Sequence, residues 1–521
     1  MLQTATKEKG TIVIVFLVVM AIGLSVAFYL YFVVDKYLLL YYWDAVSHLV
    51  GARKLVDWSE NPGWIQIGTV WLPLPHFLLA PFSLIDPLFT TGFAGLVVSL
   101  PSLAFTSVFL YKIIKELKIK DFAIIPVFGA FVIALLYVTN PNILYLGLTS
   151  MTEAPFMLFF VASAYYFLTW IQNGNKLRDL IITSILLSLA TLCRYESWFL
   201  PIFLIIVATV FAIKSKKQNQ QKILFILASM VALSGVSFWL SWNQYHYGDA
   251  FEFGNAQYYS ASWQAQDRDI REVLFLQPAN VLTVYGITAV TMYGPFLLGA
   301  GTLGYYIFRK AYIPGKKLVL IFLSLPPLFT VLSLVIGIGE MSYWFNSRFM
   351  VLLSPLIIIM TSIFLTKLNG RVKNRLIIVA AIGVLFVYQL STPAFSAVIT
   401  YLDARGGYNV KENLLAIEAG KALKSLYDDG NIMIITGSGL EHRVMITSGI
   451  PLRNFDEIIE GSTWKASFYE PWTYDKWFII TNHPLIDAKT VTQYWLDRQD
   501  ELQEHYKTVH ENEYYTIMVL R

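Results

Sequence analysis

The chain has 521 residues, of which 56% are hydrophobic and only 14% charged, and its mean hydropathy is +0.56; soluble proteins carry roughly 25% charged residues. These figures exclude a soluble globular protein, and the net charge of +4 averages two unlike parts, so it gives no ground for a nucleic-acid partner. Cys193 is the only cysteine, which excludes an intrachain disulfide and a cysteine-based metal cluster.

Lys7 and Lys9 precede a charge-free run from Thr11 to Val34. It is longer than the ~7–15 residues of a cleaved signal core and shows no small-residue cleavage site, so it is expected as a retained first span. Further charge-free runs follow at Pro87–Tyr111, Phe122–Thr152, Ala154–Asn175, Leu180–Cys193, Ser197–Ile213, Ile223–Tyr245, Val273–Phe308, Leu318–Gly339, Phe349–Thr366 and Leu376–Leu402. Most approach the ~20 residues that cross a bilayer as helix, giving about eleven spanning helices in residues 1–395.

The connections alternate in charge. Lys112–Asp121, Gln172–Asp179, Lys214–Lys222, Arg309–Lys317 and Lys367–Arg375 hold 18 Lys and Arg, whereas the opposite-side loops before residue 395 hold 7. The basic side is expected to be cytoplasmic, together with the N-terminus. Gly68–Ile85 is apolar enough to cross but contains Pro73, Pro75 and Pro81, so it is expected as an interfacial or re-entrant segment within an outer loop 35–86. A second outer loop spans 242–272, and the C-terminus is then extracytoplasmic.

From residue 396 the composition changes to 12 Lys and Arg against 18 Asp and Glu. Asn431–Thr436 and Lys476–Thr481 are expected as buried strands and Asn409–Tyr427 as an amphipathic helix, hence a small soluble α/β domain over 396–521. The Gly437-Ser438-Gly439 turn is too short a signal for a dinucleotide site, and no GxxxxGK[ST] or HExxH string occurs.

The outer side gathers the candidate chemistry. Asp44, near His48 in the first outer loop, suits a general base, or else the cap of a short helix beginning at Ala45. Glu153 interrupts an apolar stretch, where an ionisable group ordinarily faces a wet cavity; otherwise it satisfies donors at a helix N-terminus. The 14-residue run Leu180–Cys193 is short for a span, so Arg194 is expected below the surface, binding an anion or pairing with Glu196. Arg348 begins another span and either joins a site or snorkels. The loop 242–272, with Tyr247 and Tyr258 among its aromatics and amides, suits sugar binding or a membrane aromatic belt.

Five pieces in this order, Trp43-Asp44-Ala45, Trp71–Pro81, Thr152-Glu153-Ala154-Pro155, Arg194-Tyr195-Glu196-Ser197-Trp198 and Asn346-Ser347-Arg348-Phe349, resemble the GT-C class of polytopic glycosyltransferases. The likeness is to dolichyl-phosphate-mannose protein mannosyltransferases and lipid A aminoarabinose transferases. It implies an all-α polytopic catalytic domain and a polyprenyl- or dolichyl-phosphate sugar donor. It also implies a reacting acid at Asp44, a second acid at Glu153 near the acceptor or a metal, and donor-phosphate contacts at Arg194 and Arg348, with His76. Trp43, Glu196, Tyr247 and Tyr258 are candidates for sugar or acceptor. Many relatives carry a second acid beside the first, where this chain has Ala45, and the WWDYG string of oligosaccharyltransferases is absent. A divalent ion, magnesium or manganese, on Asp44 and Glu153 is left open, and no other cofactor is implied.

The expectation is therefore a membrane glycosyltransferase moving one mannose-like sugar to a hydroxyl of a protein, glycan or lipid acceptor on the extracytoplasmic side of the cell membrane. A lipid or solute transporter or flippase is the rival, and would place charges at the bilayer midplane. A non-catalytic scaffold built around the outer domain is a third.

Overall fold

The computed structural model describes residues 2–56, 64, 67–117, 126–215, 218–255, 270–311, 313–339, 347–371, 383–384, 387, 410–435, 439–457, 467–481 and 491–521. The expected boundary at residues 395 and 396, Tyr258, Asn346, Gly437, Ser438 and most of the expected span Leu376–Leu402 lie outside them.

The charge-free runs fold as helices because a bilayer leaves backbone groups no partner but one another. They are Leu2–Tyr29 (α1), prolonged by a π turn at Leu30–Val34. After the short helices Trp43–Lys54 (α2) and Leu74–Ser83 (α3) come Phe93–Glu116 (α4), Pro126–Val138 (α5), Pro141–Leu148 (α6), Glu153–Gln172 (α7) and Leu177–Thr191 (α8). Phe199–Lys214 (α9), Asn219–Met230 (α10), Ser234–Tyr247 (α11), Pro278–Lys310 (α12), Lys316–Val335 (α13) and Ser354–Arg371 (α14) complete the bundle. Leu17, Phe32, Ile206, Ile213, Leu227 and Val290 stay exposed on it, as expected where lipid tails are the solvent.

Among the described residues eight helices are long and apolar enough to cross a membrane, or nine if the bent pair α5–α6 is one span. The count falls below the expected eleven at two places. Most of Leu376–Leu402 lies outside the described residues, and α8 has 15 residues, about 22 Å at ~1.5 Å per residue. The 76° bend between α5 and α6 has a local cause: Asn140 accepts hydrogen bonds from the Asn142 and Ile143 amides and starts a new helix, with Pro141 at its first position. In α12 the backbone breaks at Gly294, where φ is 73°, a conformation open to glycine at little cost.

Gly68–Ile85 forms no helix long enough to cross a membrane. Its helix α3 has 10 residues, about 15 Å against a ~30 Å core. The segment is stapled on one side: Leu74 N donates to Leu192 O at 3.1 Å, Tyr195 Oη to Val70 O at 2.8 Å, and Thr69 to Asn243.

The C-terminal part is α/β, with Val410–Leu426 (α15), Gly439–Ser448 (α16) and a five-stranded sheet in the order β2-β1-β3-β5-β4. The strands are Ile432–Ile434 (β1), Phe455–Asp456 (β2), Trp477–Thr481 (β3), Tyr506–Glu511 (β4) and Tyr515–Leu520 (β5). β1 runs parallel to β2 and β3, while β5 is antiparallel to β3 and β4. Because side chains alternate across a strand, the sheet sorts its core in two. Met433, Phe478, Ile480 and Met518 pack on Trp495 and Leu502. Ile432, Ile434, Trp477, Ile479 and Ile517 join α15 and α16 in a core that also takes in Val46, Leu49 and Val50 of α2. One face of the C-terminal sheet thus shares its core with α2.

Candidate active site

Asp44 stands in the first turn of α2, whose N-cap, Tyr42, makes no side-chain capping bond. The carboxylate is turned instead to Arg348, which lies at the start of the 3-10 turn Ser347–Leu353, and accepts from its Nη1. Glu153 is the first residue of α7. Its approach is fixed by packing: a Cβ on Gly95 of α4 would lie 2.3 Å from Ser150 N, so only glycine lets α4 sit against that backbone. Ser99 Oγ donates to Thr149 O at 2.6 Å, and Ser150 Oγ to Ala45 O, tying the Glu153 segment to α2.

Arg194 occupies the turn after α8, and the shortness of that helix keeps it low. Its Nη1 donates to Glu153 Oε1 at 2.7 Å and to Thr152 Oγ1 at 2.9 Å, while Nη2 and Nε reach Glu196 Oε1 at 2.7 and 3.1 Å. Arg348 Nε lies 3.7 Å from Glu153 Oε1. The result is one chain, Asp44–Arg348–Glu153–Arg194–Glu196, in which acid and guanidinium alternate. Phe349 packs against both arginines, with its ring centroid 5.0 Å from Arg194 and 5.3 Å from Arg348, and Tyr42 lies 5.1 Å from Arg348.

Exposure falls from Asp44 to Glu153 along this chain. Glu153 has 2% of its side chain accessible and Arg348 14%, whereas Asp44 has 36%. Asp44 is thus the acid that solvent or a ligand reaches, and Glu153 the one that holds the arginines. Glu153 Oε2, Arg348 Nε and Trp43 Nε1 are buried and make no hydrogen bond to a described group, an acceptor and two donors left unsatisfied at the centre of the arrangement.

A divalent ion between Asp44 and Glu153 does not fit this arrangement, because the Arg348 guanidinium already bridges the two acids. Among the described residues no three His, Cys, Asp or Glu side chains group as a metal site.

The remaining expected residues are spread more widely. His76, on α3, is buried and stacks near Trp71; it lies beside the chain of ion pairs, linked to it through His48. His48 Nδ1 and His76 Nε2 are 3.0 Å apart, and His76 Nδ1 is 3.2 Å from Leu72 O. With His76 Nδ1–H donating to that carbonyl, its Nε2 accepts from His48. Burial brings His76 down to about 4, and burial, then His76, then Arg348 and Arg194 hold His48 well below its ordinary value. The pair is therefore neutral at pH 7. Trp43 adjoins Asp44, Glu196 ends the ion-pair chain, Tyr247 closes α11, and Tyr258 lies outside the described residues.

His48 was not among the sequence candidates, although it follows Asp44 by four residues on one helix face, a spacing that assigning helix to Trp43–Lys54 would have exposed. Sequence also gave no hint of a second buried group. Ser47 Oγ lies 2.7 Å from His442 Nδ1, His442 Nε2 lies 2.8 Å from Glu457 Oε2, and Lys54 Nζ pairs with Glu457 Oε1 at 2.5 Å.

Residues 73–242 match the family model of the dolichyl-phosphate-mannose-protein mannosyltransferases. Comparison of the sequence with curated proteins returns no significant match. Among solved structures, the chain is similar to ArnT from Cupriavidus metallidurans bound to undecaprenyl phosphate, with 10% identity, 91% of this chain and 93% of that one covered, and a TM-score of 0.54. It is also similar to the oligosaccharyltransferase AglB from Archaeoglobus fulgidus in complex with an inhibitory peptide and a dolichol-phosphate, with 11% identity, 89% and 69% covered, and a TM-score of 0.45. The chain is a polytopic membrane protein with the GT-C fold.

Proposed function

We propose that this protein transfers a single, mannose-like sugar from a polyprenyl- or dolichyl-phosphate carrier to a hydroxyl acceptor on the extracytoplasmic side of the cell membrane. The observation that carries this is the alternation of acid and guanidinium along Asp44–Arg348–Glu153–Arg194–Glu196, in which exposure falls from Asp44 through Arg348 to Glu153 and leaves an accessible acid directly beside guanidinium groups held at fixed positions.

Asp44 takes the proton of the acceptor hydroxyl, whose oxygen attacks the anomeric carbon. The bond from that carbon to the phosphate oxygen breaks, and the electron pair leaves with the polyprenyl phosphate. Arg348, with Arg194 behind it, stabilises the charge gathering on the phosphate, and the attack inverts the anomeric centre. A phosphate oxygen on Arg348 competes with Asp44 for the same guanidinium, so arrival of the donor loosens Asp44 for the acceptor. Trp43, beside Asp44, is a candidate contact for sugar or acceptor, with Glu196, Tyr247 and Tyr258 as further candidates; Glu153 holds the arginines, and His76 backs the site through His48. The surplus of Lys and Arg in alternate loops supports a cytoplasmic N-terminus and an extracytoplasmic C-terminal domain, with residues 1–395 and 396–521 as the two parts. Against a transporter, the ionisable residues gather at helix ends rather than along broken helices at the midplane.

The test is reconstitution of the full chain in liposomes with polyprenyl-phosphate mannose and a hydroxyl acceptor, measuring release of lipid phosphate. Turnover that is lost in Asp44→Asn is expected. Equal turnover in Asp44→Asn removes the acid from the reaction, and no release with mannose or any other polyprenyl-phosphate sugar overturns the transferase reading.

A further inference from the structure

We propose that Glu457 and His442 of the C-terminal domain are positioning residues for Asp44, acting through α2. This rests on Asp44 being the reacting acid of the proposed transfer.

α2 carries two polar stripes. Asp44 and His48 point to the ion-pair chain and α3, while Ser47 and Lys54, seven residues apart, point to the C-terminal domain. The second stripe is buried: Ser47 is 5% exposed, His442 4%, Lys54 1% and Glu457 0%. Its members form a closed line, Ser47–His442–Glu457–Lys54, with spacings of 2.7, 2.8 and 2.5 Å. Burial pushes the Glu457 carboxyl up, but Lys54 and His442 outweigh it and leave it at about 2. Arg443, the next residue of α16, donates to Leu40 O at 2.7 Å, just ahead of α2. The C-terminal domain therefore grips both the entry and the far end of the helix that holds the reacting acid.

The order serine–histidine–glutamate resembles a nucleophilic triad, but Ser47 lies in the interior of α2 and is buried against α16, out of reach of a substrate. Its hydroxyl donates to Trp43 O at 3.1 Å and has His442 Nδ1 as its other partner. What the line fixes is rotation. A side-chain tip lies about 5–6 Å from the helix axis, so a turn of about 10° moves Asp44 by about 1 Å. A misplacement of that size costs roughly 100-fold in rate.

Glu457→Gln strands the Lys54 cation in the interior; Lys54→Met/Glu457→Gln removes that charge and keeps an amide for His442. In the reconstituted full chain, Glu457→Gln is expected to lower kcat roughly 100-fold with the donor KM within about threefold, and the double variant to return kcat to within about fivefold of native. Amide exchange of α2, followed by mass spectrometry on the same preparations, is expected to speed up about tenfold or more in Glu457→Gln and to revert in the double variant. A Glu457→Gln protein with native kcat overturns the proposal, as does a double variant that stays as slow as the single one while its α2 exchange is native. If no donor supports turnover, the transfer reading fails by itself, and the exchange of α2 then decides: native exchange in Glu457→Gln overturns the grip, and accelerated exchange that the double variant reverses upholds it.

Discussion

Arg194→Lys separates charge from geometry at the centre of the ion-pair chain. Arg194 is 10% exposed and makes four hydrogen bonds, to Thr152, to Glu153 and twice to Glu196. A lysine keeps the charge but presents one compact ammonium, which cannot span Glu153 and Glu196 from one position. At least two charge-assisted bonds are lost, at about 1.5–3 kcal/mol each. One carboxylate is then left in the interior without its cation, so the local penalty is about 3–5 kcal/mol. Because Glu153 Oε1 also stands 3.7 Å from Arg348 Nε, an unpaired Glu153 pulls Arg348 away from Asp44. If that displacement is felt in the transition state, about 3–4 kcal/mol corresponds to a roughly 100- to 1,000-fold fall in kcat/KM. The assay is lipid-phosphate release from the reconstituted protein, with a melting curve in detergent alongside. Arg194→Lys with turnover within threefold of native and an unchanged melting point would show that only the charge matters, and would refute the bridging role.

Three further outcomes are expected. His76, held near 4 by burial against an unfolded value near 6.5, binds fewer protons folded than unfolded between those pH values, so stability rises with pH across this window and falls as pH drops from 6.5 to 4. The shift corresponds to about 3 kcal/mol at most, and the fall in melting temperature on acidification should be smaller in His48→Gln/His76→Gln; an identical slope would rule out the pair as its source. Gly95→Val places side-chain atoms against the Ser150 backbone, 2.3 Å from where a Cβ begins, and should destabilise by about 1–3 kcal/mol with loss of transfer; native melting and turnover would show that α4 and the Glu153 segment are not coupled. Finally, Lys421→Cys, exposed on α15, should react in intact cells with a membrane-impermeant maleimide, against a background in which Cys193 is buried; labelling only after lysis would reverse the proposed orientation.

The sequence by itself determined the features that local chemistry dictates. Runs without charge become helices in lipid whatever their neighbours, the proline-rich stretch Trp71–Pro81 yields only a 10-residue helix, and the apolar strings at Ile432–Ile434 and Trp477–Thr481 become central strands because both of their faces are buried. Asp44, Glu153, Arg194, Glu196 and Arg348 were legible as candidates for a similar reason, since an ionisable residue beside a span is costly and needs a partner. Which partner each takes was decided by tertiary structure. Arg348 reaches Asp44 across 304 residues of chain, and Ser47 reaches His442 across 395. Sequence order carries no distance between such groups, because the ends of helices meet only once the bundle is packed. The bend at Asn140, the close approach over Gly95 and the short α8 bring Glu153 and Arg194 to Asp44. The placement of the C-terminal domain was decided in the same way: its composition marks it as soluble, but a core shared with Val46, Leu49 and Val50 packs it against the helix that carries Asp44, since an apolar face of α2 needs another apolar face against it.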